Sequence, residues 1–154
     1  MIEPLTLGDM LLRIGLAMVM GLCIGWNREV NNKAAGLRTM TLVAMGAAGM
    51  VVAAVEVVAA TENAYDPLRV ISGVIGGIGF LGAGTIIQSA GKVQGLTTAA
   101  SIWASAGLGI ACGLGLYDLA GVMFAMMIIV LVVLSSLKGE VLPEKDSEGD
   151  GGEG

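Results

Sequence analysis

Residues 76–84 read GGIGFLGAG, and Gly77, Gly79 and Gly82 within them fit the pattern G-x-G-x-x-G. In a soluble α/β protein such glycines cradle a dinucleotide. That reading needs a preceding strand, a following helix and an acidic residue about 20 positions on. Beyond Asp66 the next acid is Asp118. The flanks are apolar in both directions, so what surrounds these glycines decides what they do.

The composition names that surrounding. Of 154 residues, 55% are hydrophobic and 14% charged, with a mean hydropathy of +0.84. A soluble domain carries about 25% charged residues. So few charges cannot clothe a water-facing surface, and lipid is the expected solvent for most of the chain. The net charge of −5 is unevenly placed: in the last twelve residues, within the segment 139–154, Glu144, Asp146, Glu148, Asp150 and Glu153 are opposed by Lys145. That segment is expected to be a disordered, acidic cytoplasmic tail. The absence of a basic, aromatic-interleaved patch argues against nucleic acid. Cys23 and Cys112 lie in apolar stretches with no histidine in the chain, so both are expected as buried small hydrophobes. The N-terminus carries acids where a signal peptide would carry bases.

A helix needs about 20 apolar residues to cross the hydrocarbon core. Five segments approach this: residues 7–26, 39–60, 70–89, 97–115 and 119–137. The expected fold is therefore all-α, a polytopic bundle of about five transmembrane helices spanning 1–138. Loop charge orients it. The first loop holds Arg28, Lys33 and Arg38 against Glu29, and the second holds Glu62 and Asp66 against Arg69. Cytoplasmic loops are enriched in Lys and Arg, so the N-terminus is expected outside and the C-terminus inside.

In lipid no hydrophobic force draws helices together, and small residues serve by letting backbones approach. Twelve of the 25 glycines fall between Gly73 and Gly115. Gly73 and Gly77, Gly109 and Gly113, and Gly21 and Gly25 each sit four apart, on one helical face. The stretch Gly77, Gly79, Gly82 and Gly84 is accordingly expected to be a backbone-contact surface inside the bundle. A competing reading makes spans three and four a pair of broken helices around a substrate site, joined by the polar run from Gln88 to Gln94.

Ionisable groups near the membrane are the next candidates. Arg13 is expected to snorkel or to pair with Asp9, four residues earlier. Arg28, Glu29 and Arg38 flank the ends of spans one and two. The arginines suit positive-inside anchoring, whereas topology gives no role to Glu29. Asp66, followed by Pro67 and near Arg69, has the pattern of a helix cap. Thr97 and Thr98, with Ser101, Ser105 and Trp103, form a polar face on span four. No catalytic constellation or set of metal ligands is evident, so neither enzymatic activity nor a cofactor is expected.

The motifs then fall into one pattern. Arg28-Glu29, Ala35-Gly36-Leu37-Arg38-Thr39, Asp66-Pro67-Leu68-Arg69, Gly77 to Thr85, and Gly95 to Ala100 with Trp103 resemble the MgtC/SapB membrane-protein family, in the family's order. The resemblance covers about residues 7–135. It implies a multi-pass protein of the prokaryotic inner (plasma) membrane, associated with magnesium homeostasis or stress adaptation. It also nominates Arg28, Glu29, Gly36, Arg38, Thr39, Asp66, Arg69, Gly77, Gly79, Gly82, Gly84, Thr97, Thr98 and Trp103 as functional candidates. The chain departs from the family at Met40 and Gly73, where polar residues are usual. Many members also carry a regulatory C-terminal domain, which is not expected after Leu137 here. The first functional expectation is a non-enzymatic regulator touching a partner membrane protein, with self-association as a further contact class. The alternative is a transporter or channel for Mg²⁺ or another small solute.

Overall fold

The computed structural model describes residues 4–60, 66–89 and 92–141. Five helices and one short hairpin follow in order: α1 Leu7–Val30, α2 Leu37–Ala60, α3 Pro67–Ala83, β1 Ile87–Ser89, β2 Lys92–Gln94, α4 Leu96–Gly113 and α5 Tyr117–Val141. Among them α1, α2 and α4 are long and apolar enough to cross a bilayer. The acidic tail expected at 139–154 lies, beyond Val141, outside the described residues. So does Glu62, which entered the loop-charge reading.

Local chemistry sets the helix ends. Thr6 opens α1 with a capping box, its hydroxyl accepting from the Asp9 N–H while Asp9 reaches back to the Thr6 N–H. Asp66 caps α3 by accepting from the Leu68 N–H at 2.9 Å, with Pro67 in the first turn as expected. The third span is shorter than the sequence suggests. Helix α3 stops at Ala83, and β1 and β2 then pair antiparallel, Gln88 opposite Val93. The hydrophobic run hid this break because Ile86 and Ile87 continue the apolar pattern while the Gly84-Thr85 turn ends the helix.

Helix α2 lies at the centre, with α1 and α4 packed against it. Both contacts use the glycine pairs at four-residue spacing. A Cβ on Gly21 would stand 2.9 Å from the Met40 carbonyl oxygen, and one on Gly25 would stand 2.6 Å from the Leu37 Cα. From the other side, a Cβ on Gly113 would stand 2.8 Å from the Ala48 oxygen, and one on Gly109 would overlap the Ala44 carbonyl. These pairings run α1 antiparallel to α2 and α4 parallel to it. Ala17, Ala44, Ala47, Ala48 and Ala111 fill the seams, with Ile24, Met40, Val51, Ile102 and Leu108 around them. Small facing residues thus bring the backbones together, as lipid-embedded helices require.

The outer surface is the reverse of a soluble protein's. Leu11, Val19, Leu42, Met50, Phe80, Val122, Met126 and Val130 are exposed, whereas Arg28, Thr98, Ser101 and Ser105 are buried. Cys112 is buried as expected, but Cys23 is exposed on the outer face of α1, where an apolar neighbourhood means lipid rather than core. Met40, one of the departures from the family pattern, is fully buried and accepts the Ser105 hydroxyl on its sulfur at 3.5 Å.

The expected packing of the Gly77–Gly84 stretch needs correction. Added Cβ atoms at Gly73, Gly76, Gly77 and Gly79 would meet nothing within 4 Å, and one at Gly82 would make only ordinary contact with Ala99. Within the chain the buried face of α3 is aliphatic, through Val74 and Ile78. Gly73, Gly76, Gly77 and Gly79 lie exposed beside it, whereas Gly82 continues the buried face. Enlarging Gly109 to Leu should therefore destabilise the purified protein by roughly 1–3 kcal/mol, the usual range for overpacking, whereas Gly77→Leu should leave its melting in detergent unchanged.

Candidate functional site

Because α1 and α3 run opposite to α2 and α4, one end of the bundle collects the C-termini of α1 and α3, the N-termini of α2 and α4, and the hairpin. Nine of the nominated residues meet there: Arg28, Glu29, Gly36, Arg38, Thr39, Gly82, Gly84, Thr97 and Thr98. Four do not. Asp66 and Arg69 lie at the far end of α3, and Gly77 and Gly79 lie along its open face. Trp103 stands two turns into α4, with its side chain half exposed.

Glu29, for which topology offers no purpose, caps a helix. Its Oε2 accepts from the Leu37 N–H at 2.9 Å, satisfying one of the open donors at the start of α2. The position also complements the positive end of the helix dipole. Gly36 makes room for it, since a Cβ there would overlap the Glu29 carboxylate. Arg38 and Thr39 follow on the exposed first turn of α2 and, with Glu29, Ala34, Gly36 and Leu37, line an open depression.

Arg28 has a different environment from that of its neighbour. It is 3% exposed, enclosed between α1 and the first turn of α4. Its Nη2 donates to the Thr98 hydroxyl at 2.5 Å, while its Nε has no hydrogen-bond partner. Anchoring at a membrane surface would leave an arginine exposed, so that expectation fails for Arg28 and fits the exposed Arg38. Thr98 is equally enclosed, whereas Thr97 is exposed and lends its carbonyl to the Ser101 hydroxyl. Thr98, Ser101 and Ser105 form a buried polar line along α4, three and four residues apart.

Two features at this end escaped the sequence reading. Gly95 adopts φ +89°, and a Cβ would collide with the Thr85 carbonyl, so only glycine closes the hairpin onto α4. Arg28 to Thr98 spans 70 positions, a pairing no local pattern reveals. At the opposite end the Arg13 guanidinium, whose charge Asp9 feels, reaches across to α4. Its Nη1 donates to the Gly113 carbonyl at 2.8 Å, a cation at the C-terminus of α4 where the dipole favours it. Nearby, Glu56 accepts from the Leu5 N–H at 2.6 Å and ties the N-terminal segment to the end of α2.

An apolar exterior and membrane-length helices define a helical membrane protein. Residues 14–139 match the MgtC family, and the chain belongs to that family. It is 36% identical to Protein SapB of Bacillus subtilis, over 90% of this chain and 63% of that protein. It is 41% identical to Protein MgtC of Salmonella typhimurium over 73% of this chain and 47% of that one, and 43% identical to Protein MgtC of Brucella abortus over 79% and 49%. The chain thus spans about half to two thirds of the length of these curated relatives. No solved structure matches it.

The Glu29 cap gives a direct test. Glu29→Ala should cost about 1 kcal/mol, the usual worth of a helix cap, in denaturant unfolding in mixed micelles, while Arg38→Ala on the exposed face should change it little.

Proposed function

We propose that the chain is a non-enzymatic regulator of the inner membrane, concerned with magnesium homeostasis or stress adaptation, that works by helix contact with a partner membrane protein. In this reading it crosses the bilayer five times with the N-terminus outside. The end bearing Arg28, Lys33, Arg38 and Lys92 faces the cytoplasm, following the positive-inside rule. The end bearing Asp9, Glu56, Asp66 and Asp118 faces out.

The observation that carries the reading is the open glycine face of α3. Glycine inside a helix costs about 1 kcal/mol relative to alanine, measured in water, and Gly73, Gly76, Gly77 and Gly79 spend that on no contact within the chain. The same four-residue spacing on α1 and α4 serves close backbone approach to α2. A helix from another membrane protein would meet α3 in that manner. The magnesium association comes from family membership.

The transport alternative draws on the buried polar line of Thr98, Ser101 and Ser105. The Ser101 and Ser105 hydroxyls already donate within the chain and Thr98 accepts from Arg28, which leaves no continuous line of open hydroxyls and favours the regulator. The experiment is complementation, under magnesium limitation, of a strain lacking its MgtC-family protein, paired with Mg²⁺ flux into proteoliposomes of the purified chain. The regulator reading expects no flux above empty vesicles, and loss of complementation in a Gly73→Leu, Gly77→Leu double variant that still melts normally. Flux by the purified chain would establish the alternative instead.

A further inference from the structure

The N-terminus of α4 and the guanidinium of Arg28 present two positive features to each other. Gly95 caps α4 without a side chain, so the N–H groups of the first turn lack the side-chain acceptor that Asp66 supplies to α3 and Glu29 to α2. A helix of 18 residues directs its positive dipole end at this point. A cation is favoured at the opposite end of a helix, as Arg13 illustrates at Gly113. Arg28 nevertheless lies against the first turn, 97% buried by its 3% exposure, with its Nε unpartnered. Among the described residues no carboxylate pairs with it, and Glu29, the adjacent acid, is committed to Leu37. A buried charge without a counter-charge is costly, and here the dipole adds to the cost.

We propose that this end of the bundle binds a phosphate-type oxyanion at the first turn of α4, held by the open backbone N–H groups, the Thr98 hydroxyl and the charge of Arg28. Thr98 links the two parts. Its oxygen accepts from Arg28, which leaves the hydroxyl proton free to donate. Polarisation by the guanidinium makes that hydroxyl a stronger donor. Leu96 and Thr97 on the same turn are exposed and give the anion its approach. One oxyanion then satisfies the helix end and neutralises the arginine, the arrangement by which helix N-termini bind phosphate. Gly95 closes the hairpin onto α4, with the Thr85 carbonyl where a Cβ would stand, which leaves the Leu96 and Thr97 side of the turn as the approach. The same chemistry is offered by a phospholipid headgroup and by free phosphate, and the bundle end lies where either can reach it.

The test uses the full chain in an uncharged detergent. Inorganic phosphate is titrated calorimetrically, and retention of phosphatidylglycerol is read by native mass spectrometry, for the wild type and for Arg28→Gln, Thr98→Val and Lys33→Gln. The expected result is binding of at least one probe by the wild type, weakened about tenfold or more in Arg28→Gln, as loss of a charge-assisted bond predicts. Lys33→Gln, with an exposed charge, should bind as the wild type does. Phosphate binding identifies a soluble ligand, and lipid retention without it identifies a headgroup. If circular dichroism shows Arg28→Gln unfolded, Thr98→Val decides, and weakened binding is again expected. Binding of neither probe by the wild type overturns the proposal, as does unchanged binding in Arg28→Gln and Thr98→Val.

Discussion

Ala44 holds the position on which the rest of the bundle depends. It is fully buried in the middle of the first half of α2, with its Cβ against Gly21 of α1 and its carbonyl oxygen against Gly109 of α4. No larger residue than glycine fits at either contact. Membrane helices gain nothing from hiding apolar surface from lipid, so van der Waals contact at this range supplies the cohesion. The repeats one turn along, Gly25 on Leu37 and Gly113 on Ala48, fix the direction of both neighbours. Once α1, α2 and α4 are set, α3 and α5 pack on the remaining flanks through aliphatic side chains, including Val74, Ile78, Met123 and Met127.

That arrangement decides where the charged groups go. With α1 antiparallel to α4, Arg13 arrives at the C-terminus of α4 and Arg28 at its N-terminus. The first placement agrees with the helix dipole and the second opposes it. Four acids at other helix ends have matched partners: Asp9 with Thr6, Asp66 with Leu68, Glu29 with Leu37, Glu56 with Leu5. Arg28, by contrast, is buried on an unfavourable helix end. Local inconsistencies of this kind concentrate at functional sites, where stability is given up for binding. The regulator reading uses a different surface, the glycine face of α3, so a ligand at one end and a helix partner along the side are compatible.

Much of this was legible before any coordinates. The five apolar segments correspond to the five helices, and the four-residue glycine spacings of α1 and α4 mark where those helices approach α2 most closely. Asp66 announced itself as a cap because Pro67 follows it. The glycine-rich stretch misled for a definite reason: spacing shows that a face is small, not what it faces. Gly73 and Gly77 carry the same signature as Gly109 and Gly113 yet stand open. The hairpin was hidden by the isoleucines that extend the hydrophobic run past Ala83. The roles of Arg13, Arg28 and Glu29 depend on partners eight to a hundred residues away, which periodicity cannot encode.

The central claim is that α1 and α4 meet α2 backbone to backbone at Ala44. It is tested most directly by dipolar-recoupling solid-state NMR on the unmodified sequence in lipid bilayers, with ¹³C labels in alanine and glycine. The account predicts short-mixing-time correlations from Ala44 to both Gly21 and Gly109, and none from Ala44 to Gly77. Absence of the Gly21 and Gly109 correlations, with glycines of α3 in their place, would contradict it and transfer the packing role to the open face.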